Sequence, residues 1–205
     1  MSAIYADRLE SMVAEVKVRA ARPEHVWDER ALDWPLDKQS VVVEVGGYTG
    51  RWAVQMAWRY NPHLFVFEPQ PWAHAVAQAA LGDAAHVFPY ALGDRDGEAP
   101  MGNWETDGCS LVNVVEWTET GRMCEIKSAF KRLGIGKIDL MLMNIEGYEY
   151  VLLPHMLDCG ILPRRLMMQW HLFGDPYGAI MAQHWARLEN LGYKIVWTYG
   201  IMLTA

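Results

Sequence analysis

The sequence predicts an α/β fold with a mostly parallel, doubly wound sheet, and two observations support the prediction. Short apolar runs rich in β-branched residues alternate along the chain with longer segments of helical periodicity. The first such run, Val41–Val45, leads directly into the glycine-rich turn Gly46-Gly47-Tyr48-Thr49-Gly50 and then into a helical segment. A strand, a glycine turn and a helix N-terminus form the first nucleotide-binding corner of such a sheet. With 205 residues, of which 52% are apolar and 21% charged, the chain suits one domain with a sizeable core.

The residues before the first strand predict an N-terminal helical extension. Apolar residues recur with helical spacing from Ile4 to Ala21, and Arg22-Pro23 ends the pattern. Residues 24–38 then predict an irregular segment that covers the edge of the domain. We therefore divide the chain into a helix and cover segment, residues 1–39, and a main domain, residues 40–205. The N-terminus carries acidic residues, which argue against a signal or transit peptide: Asp7, Glu10 and Glu15.

The later elements follow in alternation. The patterns predict helices at residues 51–59, 72–81, 124–133, 148–157 and 179–191, and strands at 64–67, 85–90, 137–144 and 165–171. Residues 91–97 predict a loop at the carboxyl end of the third strand, and residues 100–120 a hairpin or loop over the site. An antiparallel hairpin, residues 194–198 and 201–204, is expected to close the fold.

Composition narrows the kinds of partner. A net charge of −7 argues against general affinity for DNA or RNA, which requires concentrated Lys and Arg. No apolar run approaches the length of a membrane span, so we expect no membrane association. Three widely spaced cysteines without a C-x-x-C pair fit a reduced, cytoplasmic protein. We expect a small molecule as the partner and allow for a homodimer.

Acidic residues stand at the ends of the first two strands. Glu44 begins an acid-x-Gly-x-x-x-Gly pattern that runs to Gly50, whereas the G-x-G-x-x-G spacing of a dinucleotide site is not met. Gly46 tolerates positive φ, which lets the backbone reverse and approach a ligand. Glu68 follows Gly46 by 22 residues, near the spacing of about 20 expected for an acid that accepts both hydroxyls of a ribose. These positions predict a cofactor site at the carboxyl edge of the sheet.

Four motifs occur in a characteristic order along residues 41–199. They are Glu44-Val45-Gly46-Gly47-Tyr48-Thr49-Gly50, Phe67-Glu68-Pro69, Ala91-Leu92-Gly93-Asp94 and Asn144-Ile145-Glu146-Gly147-Tyr148-Glu149. Together they resemble the FkbM family of S-adenosylmethionine-dependent methyltransferases. The resemblance implies a Rossmann-like class I methyltransferase fold with a seven-stranded sheet. It also implies S-adenosyl-L-methionine as the cofactor and O-methylation of a hydroxyl on a small molecule such as a sugar or natural product.

The resemblance further implies how the cofactor would be held. The first motif would wrap its methionine part, the acid of Glu-Pro would hold the ribose, and residues after the third strand would flank the adenine. The cofactor-binding candidates are therefore Glu44, Gly46, Gly47, Tyr48, Thr49, Gly50, Glu68, Pro69, Ala91 and Leu92.

Methylation of a hydroxyl requires a group that takes its proton as the C–O bond forms. The candidates are Glu146 and His171. The unperturbed pKa is about 6.5 for a histidine and about 4.3 for a glutamate, so His171 is the better base. Glu146 could instead cap the helix that begins near Gly147, and His171 could be a hydrogen-bonded histidine at a strand end. Asn144 stands where the family usually has an aspartate, and its carbonyl can accept a hydrogen bond but cannot act as a base. No cluster of His, Asp and Glu has metal-ligand spacing, so we predict no required metal.

Other functions fit less well, with one exception. A nucleic-acid methyltransferase would want Asn/Asp-Pro-Pro-aromatic after the fourth strand and a basic face. An NAD-dependent oxidoreductase would share the fold and an acid at the position of Glu68, but it needs the G-x-G-x-x-G spacing, which this chain lacks. The remaining alternative is a catalytically degenerate methyltransferase fold that binds the cofactor or a protein without turnover. Asn144, and Leu142 in place of the family's usual lysine, motivate it.

Overall fold

The computed structural model describes residues 8–21, 32–102, 108–112, 117–171 and 176–195. The helices are α1 (Leu9–Ala20), α2 (Arg51–Tyr60), α3 (Pro71–Leu81), α4 (Ile126–Leu133), α5 (Glu149–Asp158) and α6 (Tyr177–Asn190). The strands are β1 (Val41–Val45), β2 (His63–Phe67), β3 (His86–Phe88), β4 (Ala91–Gly93), β5 (Gly97–Gly102), β6 (Trp117–Glu125), β7 (Leu140–Met143) and β8 (Leu166–Met168). Strands and helices alternate as predicted up to β3 and again from α4 onward, but four strands, β3 to β6, follow one another in between. Within these described parts, none of the helices combines the length and apolar character that a membrane span requires.

Five parallel strands form the main sheet, in the order β3-β2-β1-β7-β8. The chain moves outward from β1 through β2 and β3, then returns to place β7 and β8 on the other side of β1. The order therefore reverses between β1 and β7, and all five carboxyl ends meet at one edge.

The predicted seven-stranded sheet is not found among the described residues, which form this five-stranded sheet and a separate three-stranded one. The second sheet has the order β4-β6-β5, with β4 parallel and β5 antiparallel to β6. The loop predicted at residues 91–97 is therefore wrong for its first three residues and for Gly97, which begins β5. Ala91–Gly93 pair with Met123–Glu125 and are buried, a contact across about thirty residues that local pattern does not predict. Most of the predicted C-terminal hairpin lies outside the described residues.

The main sheet separates two apolar layers, because successive strand residues face opposite sides. Val42, Leu64 and Leu142 pack on one side with α1, α2 and α3. Val43, Phe67 and Met141 pack on the other side, where the second layer continues into α4 and α5. This two-sided burial accounts for the nearly continuous apolar runs that predicted the strands.

The N-terminal segment is fastened to α2. The Gln55 side-chain amide donates to the carbonyl of Ala20 at 2.8 Å, which fixes the end of α1. The Tyr60 hydroxyl donates to the carbonyl of Leu32 at 2.7 Å and accepts from the N–H of Trp34 at 2.9 Å. The described part of the predicted cover segment thus packs on the outer face of the α2 layer.

Candidate functional site

The candidate site lies at the carboxyl edge of the main sheet, at the point where the strand order reverses. Glu44 pairs in register with Val66 of β2 and Leu142 of β7. Glu68 and Asn144 each follow the last residue of their strand. Open α/β sheets bind ligands in the crevice at such a switch point. The fold therefore brings these three predicted residues to one place.

Glu68 joins two backbone segments through its carboxyl group. Its Oε2 accepts a hydrogen bond from the N–H of Tyr48 at 2.7 Å, and its Oε1 accepts from the N–H of Gln70 at 2.8 Å. Burial raises the pKa of Glu68 to about 7, although these two hydrogen bonds act to lower it. Each oxygen keeps a second lone pair, so the carboxyl can accept further donors while it holds the glycine turn against the start of α3.

Two buried oxygen atoms at the switch point have no hydrogen-bond partner, Glu44 Oε2 and Asn144 Oδ1. Burial and the neighbouring Glu68 raise the pKa of Glu44 well above its ordinary value, against a hydrogen bond with the backbone of Ala53 that lowers it. A buried polar group without a partner costs about 1–3 kcal/mol. The switch point thus has unmet hydrogen-bonding capacity.

The glycine turn is packed tightly against both neighbouring strands. Gly46 has φ +83°, and a Cβ atom there would lie 2.0 Å from the backbone oxygen of Asn144. A Cβ atom on Gly47 would lie 2.2 Å from Cγ1 of Val66. We predicted that Gly46 allows a ligand to approach, and the structure adds a second reason for glycine. No side chain fits between the turn after β1 and the residue after β7.

The other predicted cofactor residues lie in the glycine turn, before α3 and in β4 of the second sheet. Tyr48 and Thr49 are half-buried in the turn, and the Tyr48 ring meets Trp72 edge-on at 5.2 Å. Gly50 is the N-cap residue directly before α2, and Pro69 precedes α3. Ala91 and Leu92 lie buried in β4, whose end is fixed to α5 by a 2.6 Å hydrogen bond from the Tyr148 hydroxyl to Asp94.

Residues 108–112, part of the segment predicted as a hairpin or loop over the site, contact the residues that follow β7. The Ser110 hydroxyl donates to the backbone carbonyl of Glu146 at 2.6 Å. Burial, and then the charges of Glu68 and Glu146, raise the pKa of Cys109 to about 12. Cys109 is therefore close to both acids. Its thiol stays protonated at neutral pH, which argues against a role as a nucleophile.

Glu146 and His171, the two predicted proton acceptors, contact each other. Nε2 of His171 lies 3.1 Å from Oε1 of Glu146, and Nδ1 lies 3.1 Å from Oε1 of Glu149. Burial lowers the pKa of His171, but the hydrogen bonds to the two carboxylates outweigh it and raise the pKa to about 9. At neutral pH the ring is an imidazolium between two carboxylates. His171 must therefore lose a proton before it can act as the predicted base.

Glu149 is the site residue that the sequence analysis missed. It is fully buried, and its oxygens accept hydrogen bonds from the N–H groups of Ile145 and Gly147, both at 2.8 Å. Glu149 thus fixes the turn that leads into α5, whereas the side chain of Glu146, considered above as a cap of this helix, faces His171 instead. The sequence did contain a signal for a role of Glu149 in the site, because Glu149 is the second acid of the Ile-Glu-Gly-x-Glu motif and begins the helix.

We expect the imidazole of His171 to titrate near pH 9. Replacing Glu146 by glutamine should lower that pKa by about 1 unit, since an opposite charge within hydrogen-bonding distance is worth about 1–3 units. NMR titration of the seven histidines, with His171→Gln to assign the resonance, measures both values. A ring that titrates near 6.5 in the parent would contradict the ion pair.

The raised pKa also sets the sign of a stability change. The ion pair stabilises fully below the unfolded-state pKa of about 6.5, and its contribution is lost as the pH rises through 9. The melting temperature of the parent should therefore fall more steeply over this interval than that of His171→Gln. Equal slopes would show that the imidazolium does not stabilise the fold.

No protein-family model matches the chain, and no curated protein matches it. Among solved structures, it is similar to precorrin-8w decarboxylase of Methanobacterium thermoautotrophicum, with a TM-score of 0.45 and 16% identity, over 78% of this chain and 66% of that one. It is also similar to the SAH-bound methyltransferase PaMTH1 of Podospora anserina, with a TM-score of 0.43 and 11% identity. That match covers 93% of this chain and 88% of the other. The chain thus spans just under two thirds of the length of the first. Function has to be inferred from the residues of the site.

Proposed function

We propose that the protein is an S-adenosylmethionine-dependent methyltransferase, of the FkbM type that its motifs resemble, acting on a hydroxyl of a small molecule such as a sugar or natural product. The observation that supports this most is the group of acceptor oxygens at the switch point. Glu44 Oε2 and Asn144 Oδ1 are buried without partners, and the Glu68 carboxyl has lone pairs to spare. An ammonium and two ribose hydroxyls are donors that would meet this demand.

The acidic character of the crevice favours this cofactor over a dinucleotide. Glu44, Glu68 and Glu146 all contribute carboxyl groups to the same edge of the sheet. Because burial raises the pKa of Glu44 and Glu68, these carboxyls would ionise beside a cation and stay protonated beside a pyrophosphate, so a sulfonium with an ammonium group would gain the stronger attraction. The glycine spacing, which is not that of a dinucleotide site, agrees with this preference.

The chain's own residues would have three roles. Glu68 would hold the ribose of the cofactor, and Glu44 and Asn144 would accept hydrogen bonds from its ammonium group. The bound cofactor would supply the methyl group, carried on its sulfonium. Segment 108–112, fastened to Glu146 by Ser110, would shield the crevice from water. Holding the acceptor oxygen in line with the methyl–sulfur bond supplies much of the rate in such a displacement.

The Glu146–His171–Glu149 cluster would take the proton of the acceptor hydroxyl. Glu149 fixes Nδ1 of the ring, so Nε2 is the atom that can exchange partners, between Glu146 and a substrate oxygen. With a pKa of about 9, His171 is in its base form in only about one molecule in a hundred at pH 7. The methyl-transfer rate should therefore rise about tenfold per pH unit up to pH 9 if His171 is the base.

We expect calorimetric titration with S-adenosylhomocysteine to show micromolar binding by the parent and at least tenfold weaker binding by Glu68→Gln. The substitution leaves one acceptor oxygen for the backbone and removes the carboxylate that would take two ribose hydroxyls. Tenfold corresponds to about 1.4 kcal/mol, the scale of a single charged hydrogen bond.

Glu119→Gln is the matched control, since Glu119 is an exposed acid on β6. It should bind as the parent does. Circular dichroism of all three proteins separates a lost contact from a lost fold. No binding by a folded parent would reject the proposed function.

Two observations favour a second candidate, a degenerate methyltransferase fold that binds the cofactor without turnover. Asn144 cannot act as a base, and His171 is held as an imidazolium by two carboxylates. Micromolar affinity for S-adenosylhomocysteine with no methylated product from any hydroxylated acceptor, at any pH up to 9.5, would support it. A single methylated product would reject it.

A further inference from the structure

A second cluster of chemically active side chains lies away from the crevice, where the start of α4 meets the far half of α5. Nε2 of His155 lies 2.8 Å from Oε1 of Glu125. The sulfur of Cys159 lies 3.6 Å from that nitrogen and 3.9 Å from that oxygen. The three atoms thus form a small triangle of one nitrogen, one oxygen and one sulfur.

The size of this triangle is close to one face of a zinc tetrahedron. Bond lengths of about 2.0–2.1 Å to nitrogen and oxygen and about 2.3 Å to sulfur place tetrahedral ligands about 3.3–3.5 Å apart. Every edge of the observed triangle is within about half an ångström of that range. A metal ion could therefore enter with small side-chain movements and without a change in the backbone.

The donors are also suited to zinc in kind. Imidazole, thiolate and carboxylate are its three common protein ligands. His155 lies on α5, and Cys159, four residues later, directly follows its last residue with helical backbone angles, which places both side chains on one face of the helix. We predicted no required metal because no sequence cluster had ligand spacing, but the third donor, Glu125, comes from a segment thirty residues earlier.

Glu125 is held in position by the backbone. Its Oε1 accepts from the N–H of Lys127 at 2.9 Å, and its Oε2 accepts from the N–H of Ser128 at 2.7 Å. Its own N–H donates to Asp96 at 2.9 Å. Hydrogen bonds of this kind orient metal ligands and raise affinity. The side chains of His155 and Glu125 are 30% and 18% exposed, so an ion can reach them from solvent.

We propose that Glu125, His155 and Cys159 form a Zn²⁺ site that fastens α4 to α5, with water in the fourth position. Binding displaces the thiol proton of Cys159 and any proton on Nε2 of His155, and both protons go to solvent. The site is independent of the proposed function. His155 and Cys159 follow Glu149 by six and ten residues, at and just beyond the far end of α5, about 9–15 Å away along the helix axis.

Cobalt substitution gives the sharpest test. The full chain, treated with chelator and kept reduced, is titrated with Co²⁺ and followed by absorption. We expect a near-ultraviolet sulfur-to-cobalt charge-transfer band with intense visible bands, which are typical of four-coordinate cobalt bound to a thiolate. Added Zn²⁺ should abolish them stoichiometrically and give its dissociation constant by competition.

Variants assign the site. Cys159→Ser should lose the charge-transfer band and bind Zn²⁺ at least about 100-fold more weakly, since even outer partners of a metal ligand are worth about 10- to 100-fold. His155→Gln should weaken binding without removing the band. Cys109→Ala is the thiol control and should behave as the parent does. Absence of the band in the parent, or its persistence in a folded Cys159→Ser variant, would overturn the proposal.

Discussion

Replacement of Glu149 by alanine is expected to lower the free energy of unfolding by about 3–5 kcal/mol, the usual cost of removing one partner of a buried ion pair. The residue is fully buried and accepts from two backbone N–H groups as well as from His171. Its loss would leave the N–H groups of Ile145 and Gly147 without their partner at the start of α5. It would also remove one of the two carboxylates that hold the imidazolium of His171. Urea unfolding at pH 7 measures the change.

Glu146→Ala is the matched control for this prediction. Glu146 contacts the same imidazole ring at the same distance of 3.1 Å, but its side chain is 24% exposed. Solvent screens its charge, so we expect a loss of about 1 kcal/mol or less. Equal losses from the two variants would mean that the backbone hydrogen bonds of Glu149 contribute little to stability.

Local sequence signals predicted the features that depend on neighbouring residues. The β-branched run Val41–Val45, the glycine turn and the acids Glu44 and Glu68 carry their meaning within a few residues each. Parallel strands then bring their carboxyl ends to one edge whatever the details of the loops. The placement of Glu44, Glu68, Asn144 and Glu146 along that edge therefore followed from the order of strands and helices.

Features that depend on distant pairing were not predicted. β4 is three residues long and becomes a strand only because Met123–Glu125 lie beside it. The raised pKa of His171 comes from two carboxylates more than twenty residues earlier in the chain. The Glu125–His155–Cys159 triangle likewise unites a strand end with a helix. In each case the deciding partner lies outside any local window of sequence.

Replacement of Gly46 by alanine is expected to destabilise the fold by about 3–5 kcal/mol. A left-handed conformation at φ +83° costs an alanine about 1–2 kcal/mol by itself. The remainder arises because the new Cβ atom, 2.0 Å from the backbone oxygen of Asn144, must push β1 and β7 apart. Gly136→Ala is the control, since a Cβ atom there meets nothing within 4 Å. It should change the unfolding free energy by no more than about 0.5 kcal/mol.

The Gly46 variant also separates two reasons for glycine at this position. If glycine serves only to admit a ligand, Gly46→Ala will lose affinity for S-adenosylhomocysteine and keep the stability of the parent. If the contact with Asn144 dominates, stability will fall first, and affinity will fall with it because Asn144 and the turn are displaced together. The 2.0 Å approach to a backbone atom, which cannot rotate away as a side chain can, makes the second outcome the expected one. Urea unfolding and calorimetric titration of the same preparation would distinguish them.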